Sequence, residues 1–184
     1  MPTLTWWIHN PLIKGSGNPT DEDLARFRAQ GFSSAVSLLE EGKQPSRYDR
    51  ASAQAGGWSL YSIPIEEGSV PSLEQIREFI MFLKGLPEGT KVLVFCESGL
   101  GRTAFMGAVY WIAKGLSASD AIARMSQACR ATDWATQERQ RVLTEYERSM
   151  KGETDRALPS VKAKTHWGPA FKSAILAFLR RWPP

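Results

Sequence analysis

Apolar and polar positions follow one another along the chain in short blocks of two kinds. Leu4 to Ile8, Ala35 to Leu39 and Trp58 to Ile63 are short runs rich in β-branched and aromatic residues, which predict strands. Lys91 to Phe95 is an almost unbroken apolar run, the pattern of a strand buried on both faces. Between these runs the spacing turns helical. Thr20, followed by Glu22 and Asp23, opens a helix to about Gln30, with a hydroxyl cap and acids in the first turn. Pro45 to Ala55 predicts a second helix, and Ser72 caps a third that runs to about Gly85. Thr103 to Lys114 predicts another, stopped by Gly115. Ser117 caps the next, to about Arg130, and Thr132 or Asp133 opens one to about Met150. Asn10 to Pro19, rich in Gly, Ser and Pro, is expected to be a loop. Strands alternating with helices read as an α/β fold.

After Met150 the texture changes. Residues 151–169 hold two prolines and two glycines with no clear period, and read as a connector. From Pro169, Phe171, Ile175, Phe178, Leu179 and Trp182 recur at helical spacing. The expected division is therefore a body of residues 1–150 and a C-terminal extension of residues 151–184. Charge follows the same division. The extension carries seven Lys and Arg against two acids, whereas the body carries 16 basic and 17 acidic residues. The net charge of +4 thus belongs to the tail, and no nucleic-acid partner is expected for the body. The tail helix has two candidate destinations. It folds its apolar stripe onto the body, or it lies on an anionic membrane or partner through Lys162, Lys164, Arg180 and Arg181. Docking is favoured because the helix is short. Removal of residues 152–184 separates the two: a large stability loss marks docking, and lost liposome binding marks the other.

With 42% apolar and 23% charged residues in 184, a packed core is expected and global disorder is not. No apolar stretch approaches the length of a membrane span. The opening MPTLTWWIHNPLIKG lacks the pattern of a secretory signal. Cys96 and Cys129, with His9 and His166, are too few for a disulfide scaffold or a structural metal. A cytoplasmic, reducing location is the expectation, with no metal and no cofactor.

One segment concentrates the chemistry: Val94-Phe95-Cys96-Glu97-Ser98-Gly99-Leu100-Gly101-Arg102-Thr103. A buried strand ends at a cysteine, a tight loop with two glycines follows, and a helix begins. Successive N–H groups of such a loop converge on one point, and the helix N-terminus adds partial positive charge there. Residues 97–102 then form an oxyanion cradle: Glu97, Ser98, Gly99, Leu100 and Gly101 through their backbone, Arg102 through its guanidinium. Arg102, six residues after Cys96, can clamp two oxygens at once. Cys96 at the base lies in the same positive field, which favours its thiolate. A thiolate beneath a tetrahedral dianion is placed for in-line attack on phosphorus. Thr103 can donate a hydrogen bond to that sulfur.

This stretch resembles the signature C-x-x-G-x-x-R-[ST] of cysteine-dependent protein tyrosine and dual-specificity phosphatases, matched by Cys96, Gly99, Arg102 and Thr103. The order of elements from Leu4 to Met150 looks like the small, atypical dual-specificity branch. The resemblance implies a central, mostly parallel sheet of four or five strands flanked by helices. It implies hydrolysis of phosphotyrosine, with phosphoserine and phosphothreonine as further candidates, through a phosphocysteine. Substrates would be phosphorylated proteins or small aryl phosphates. It also implies a general acid, usually Asp, on an upstream loop. Ile63 to Pro71 resembles the family's P-I-x-D-G-x-x-P, with Glu67 where Asp is expected and Glu66 as the alternative; neither acting remains open. In the family, the Thr103 equivalent helps the thiolate leave when the phosphoenzyme is hydrolysed.

Three departures matter. Phe95 stands where the family has His, so the loop amides and Arg102 must carry more of the thiolate's stabilisation. Glu97 places a carboxylate at the rim, expected to point outward, and the loop has none of the Lys that lipid-phosphatase relatives use. Polyphosphorylated inositides are therefore disfavoured. Gln137 and Gln140 lie near the family's water-positioning Gln but off its spacing, and are read as surface residues. Competing readings are a non-catalytic phosphate-binding pseudophosphatase, a sulfur or arsenate redox enzyme, and a phosphatase for RNA 5′ ends or inositol phosphates. Cys129 is read as a small buried side chain and His9 as structural. Tyr110 and Trp111 are read as core. Asp133-Trp134 either flanks the site or starts a helix. Of Trp6 and Trp7, one is expected in the core and the other at the pocket rim.

Overall fold

A computed structural model describes residues 3–40 and 42–153. The expectations for the tail, including its helix and its basic residues, lie outside the described residues. Five strands form one sheet: β1 (Thr5–His9), β2 (Ile13–Ser16), β3 (Phe32–Ser37), β4 (Ser59–Ser62) and β5 (Lys91–Phe95). Their order across the sheet is β1-β2-β5-β3-β4. β1 runs antiparallel to β2 on one edge, and every other pairing is parallel. The expected mostly parallel α/β sheet is therefore the observed one.

The strand β2 lies inside the stretch expected to be a loop. The sequence conceals it because close packing excludes ordinary strand residues there. A side chain at Gly15 would meet the Trp6 ring at 2.8 Å and Thr103 Cγ2 at 3.0 Å. Small residues are the condition for this strand to fit between its neighbours, at the expense of β-propensity.

Helices cover both faces. α1 (Asp21–Ala29) and α2 (Arg50–Ala55) lie on one side. There Leu24, Phe27 and Ala53 pack with Phe32, Leu93 and Phe95 of the sheet. The other side holds α3 (Leu73–Gly85), α4 (Gly101–Ala113), α5 (Ala118–Cys129) and α6 (Gln137–Glu153). Its core runs from Val92, Val94 and Cys96 through Ala104, Phe105 and Ala108 to Leu143 and Tyr146. The period-2 alternation of β5 thus sends Phe95 to the smaller layer and Cys96 to the larger.

The caps of α1, α3 and α5 fall where the sequence puts them. Thr20, Ser72 and Ser117 each accept from the backbone N–H three residues on. Two helices are shorter than expected. α2 begins only after Asp49, whose carboxylate caps it. α6 begins at Gln137 rather than at Thr132 or Asp133, because Trp134 is buried and its indole donates to Ser126 Oγ. Trp6 and Trp7 do face opposite ways, but Trp7 does not border the cradle. It stacks on Phe32 of the smaller layer with Lys14 Nζ over its ring. His9, Tyr110 and Trp111 form one aromatic group, joined by a 2.6 Å contact between His9 Nδ1 and Tyr110 Oη. Among the described residues, no helix is long and apolar enough to cross a membrane.

Strand register fixes where the site forms. Phe95 pairs with Ser16 on one side and Ser37 on the other, and Ser37 pairs with Ser62. Four parallel strands therefore end at one level. The segments leaving them, which begin at Gly17, Leu38, Ile63 and Cys96, meet outside the carboxyl edge of the sheet. Open α/β sheets bind ligands at this edge.

Candidate active site

Cys96 is the first residue beyond β5 and is 1% exposed. The chain turns at Gly99, whose φ is +78°. A Cβ there would lie 2.4 Å from Gly17 N and 2.6 Å from Ser16 C, so the loop can back onto the end of β2 only with glycine. Two contacts hold the loop from outside. The Trp6 indole donates to Gly99 O at 2.9 Å, and Asn18 N donates to Glu97 O at 3.1 Å. Glu97 is exposed and turned outward as expected, its carboxylate accepting from Asn18 Nδ2 at 2.9 Å.

α4 differs from the helices with caps. Leu100 occupies its N-cap position and no side chain caps it. Its N-terminal N–H groups are therefore oriented for an anion outside the helix. Ser98 is exposed, and Leu100 and Gly101 are half-buried. Ser98 Oγ accepts from Leu100 N at 3.3 Å. Thr103, in the first turn of α4, donates to Cys96 Sγ at 3.1 Å. Phe95 has its ring wholly buried on the far face, edge-on to Tyr48.

Arg102 is 3% exposed. One guanidinium nitrogen, Nη1, donates to Leu38 O at 3.1 Å, Ile65 O at 2.9 Å and Gln44 Oε1 at 2.7 Å. The other, Nη2, lies 4.0 Å from Glu67 Oε1. Arg102 thus ties the exit of β3 and the acidic loop to the start of α4. The other oxygen of Glu67 accepts from Gln44 Nε2 at 2.6 Å. Glu66 is exposed, and its carbonyl accepts from Ser69. Of the two acids that the sequence leaves open, Glu67 is the one in contact with Arg102.

Two polar residues of this region were not singled out from the sequence. Gln44 sits in a turn between β3 and α2 that carries no motif. Arg139 is 7% exposed on α6 and donates to Trp134 O at 2.9 Å and Ser69 O at 3.2 Å. Burial holds its guanidinium below the ordinary arginine range. The Cys96 charge opposes that shift, and neighbouring Arg102 adds to it. In sequence Arg139 looks like one more surface charge between Gln137 and Gln140, yet it is the buried residue of the three. Gln137 and Gln140 are exposed, and Gln140 caps Ala135 O. Asp133 is exposed beside the buried Trp134. Cys129 is free and buried, and burial pushes its thiol up. No cluster of metal-ligating side chains occurs among the described residues.

A thiol at the carboxyl edge of a parallel sheet, under an uncapped helix and near a buried arginine, is the arrangement expected of the cysteine-based protein tyrosine phosphatase superfamily. The family model described as "DSP-PTPase phosphatase fused to NAD+ Kinase" matches residues 9–143, and the chain belongs to that family. It is 28% identical over 112 residues to protein tyrosine phosphatase type IVA 3 of Bos taurus, covering 57% of this chain and 62% of that protein. The chain therefore spans about three-fifths of that relative. Among solved structures it resembles Tk-PTP in the active form, with a TM-score of 0.67 and 29% identity over 78% of this chain and 96% of that one. PTPMT1 in complex with PI(5)P shares the fold, with a TM-score of 0.71 over 82% of this chain and 98% of that one, at 16% identity.

Proposed function

We propose that residues 1–150 hydrolyse phosphotyrosine in proteins, and small aryl phosphates, through a phosphocysteine. The observation that carries this reading is a pair of contacts made from the first turn of an uncapped helix, Thr103 Oγ1 to Cys96 Sγ and Arg102 Nη2 to Glu67 Oε1. The Cys96 thiolate attacks phosphorus, forming an S–P bond as the ester P–O bond breaks. The departing oxygen takes its proton from Glu67. Arg102 and the amides of residues 97–102 stabilise the equatorial oxygens. Water then attacks the phosphocysteine and gives a proton to Glu67. The S–P bond breaks towards sulfur, where the Thr103 hydroxyl receives the returning charge. The free thiol this chemistry needs suits a reducing compartment such as the cytoplasm.

Two features favour an aryl monophosphate over a polyphosphorylated inositide. Residues 97–101 offer no lysine, and Glu97 adds negative charge at the rim. The bovine relative is named as a protein tyrosine phosphatase, which supports the same class. PTPMT1 was crystallised with PI(5)P, so an inositide belongs in the test as the competing outcome.

The test is a panel of phosphotyrosine, phosphoserine and phosphothreonine peptides with PI(5)P. It is run on the wild type, Cys96→Ser and Glu67→Gln. Phosphotyrosine should be the preferred substrate. Cys96→Ser should lose at least about a thousandfold in kcat. Glu67→Gln should lose about 10²–10⁴-fold, as expected for a general acid. Phosphate binding without turnover in the wild type would instead establish a binding module, and preferred turnover of PI(5)P would refute the protein-substrate assignment.

A further inference from the structure

We infer that Gln44 is a positioning residue that fixes the Glu67 carboxyl relative to Arg102, so that the proton donor is in place before substrate arrives. The inference rests on Glu67 being the general acid. Gln44 is half-buried, and its side-chain amide makes three hydrogen bonds. Its oxygen accepts from Arg102 Nη1 at 2.7 Å and from Glu40 N at 3.1 Å. Its nitrogen donates to Glu67 Oε2 at 2.6 Å. The orientation of the amide follows from its partners. A guanidinium and a backbone N–H can only donate, so they take the amide oxygen and leave its nitrogen for Glu67. No other side chain of this length offers an acceptor to Arg102 and a donor to Glu67 at once. Glutamate would face Glu67 with like charge, and lysine would face Arg102 with like charge.

The turn that presents Gln44 is built for the purpose. The backbone N–H groups of Lys43 and Gln44 both donate to Glu40 O, which folds Gln44 back over Glu40. Glu40 in turn accepts from Glu67 N at 3.4 Å, so side chain and backbone of the acid are held from the same turn. The Lys43 ammonium lies 2.5 Å from Glu40 Oε1 and offsets the charge of that carboxylate.

The need for such a tether follows from the residue type. Glu67 stands where the family has Asp and carries one more rotatable bond. Its side chain is 63% exposed, so packing alone does not fix its rotamer. The Gln44 amide supplies the constraint that packing omits, while its neutral oxygen leaves the Arg102 charge unspent for the phosphate. Gln44 therefore acts through Glu67 and Arg102 rather than on substrate.

The experiment measures kcat/KM for a series of aryl phosphates. Leaving groups run from acidic nitrophenols to unsubstituted phenol, which, like the tyrosine side chain, has a pKa of about 10. The enzymes are the wild type, Gln44→Glu, Gln44→Met, Glu67→Gln and Gln44→Met/Glu67→Gln. A displaced general acid hurts poor leaving groups selectively, whereas a general loss of structure hurts all alike. Gln44→Met should lose about 10–100-fold on phenyl phosphate and less than about threefold on nitrophenyl phosphates; Gln44→Glu should lose more, and on every leaving group. The double variant should be no worse than Glu67→Gln alone, as for two residues acting in series. Gln44→Met removes the donor to Glu67 with no charge added, so its effect isolates the tether, whereas Gln44→Glu also sets a carboxylate against Glu67 and Arg102. If Glu67→Gln is steep in leaving group and Gln44→Met is not, the inference fails and the acid assignment stands. If Glu67→Gln is itself flat, both fail. A uniform drop across the series in Gln44→Met also overturns the inference.

Discussion

At the scale of single residues, the contact between Thr103 and Cys96 is where the two proposed chemical steps should differ. The hydroxyl lies 3.1 Å from the sulfur, on the third residue of α4. It has most effect when sulfur is the leaving group, because negative charge then accumulates on it. Thr103→Ala should slow dephosphorylation of the enzyme and leave its phosphorylation nearly unchanged. Rapid mixing with para-nitrophenyl phosphate should show a burst of about one equivalent, kcat lower by about tenfold, and kcat/KM within about threefold of wild type. Thr103→Ser, which keeps the hydroxyl and loses only the methyl packed near Gly15, should restore single-phase turnover. The absence of a burst in Thr103→Ala would assign the hydroxyl a packing role. At this scale the sequence was informative where chemistry and spacing coincide, as for Cys96, Arg102 and Thr103. It was silent for Gln44 and Arg139, whose importance lies in partners distant along the chain. Arg139 meets the carbonyl of Ser69, 70 positions away, and Gln44 meets Arg102, 58 positions away.

At the scale of elements, the cradle is a loop pressed against a strand, and the glycines on each side mark the contact. Gly99→Ala introduces a Cβ that overlaps Gly17 N and Ser16 C, both backbone atoms that cannot swing aside, at a φ of +78° that alanine disfavours. The loop must lift from β2, which redirects its amides. Activity should fall by at least about 100-fold and vanadate affinity should be lost, with the sheet still folded by circular dichroism. Gly101→Ala is the control. Its Cβ would meet only the Arg139 guanidinium, at 3.2 Å, and alanine favours the helix it begins. Its activity should stay within a few fold, and equal damage from both substitutions would contradict the argument. The same packing explains which elements could be read in advance. β5 and α4 have strong apolar signatures and were legible almost to the residue. β2 was not, because Gly15, Ser16 and Gly17 serve the contact with Trp6 and the loop instead of strand propensity. The start of α6 was misplaced because burial of Trp134 keeps residues 131–136 out of helical geometry.

Across the whole molecule, Arg139 connects parts that no single element joins. Its guanidinium packs over the start of α4, bonds the turn before α6 through Trp134 O, and bonds the acidic loop through Ser69 O. It thus places a third positive contribution, beside Arg102 and the α4 terminus, in the region that holds Cys96. Such a concentration of buried positive charge costs stability unless carbonyls and an anion answer it. The two carbonyls do so in part. Arg139→Met keeps most of the side-chain volume and leaves both carbonyls unpaired. The expected loss is about 2–4 kcal/mol, or a drop in thermal midpoint of about 4–16 °C for a chain of this size. A second consequence distinguishes this residue from an ordinary buried tie. With one cation fewer near the sulfur, iodoacetamide should alkylate Cys96 more slowly than in wild type. Were Arg139→Met to lose stability with an unchanged rate of alkylation, the guanidinium would be holding the loops together without contributing to the field in which the sulfur sits.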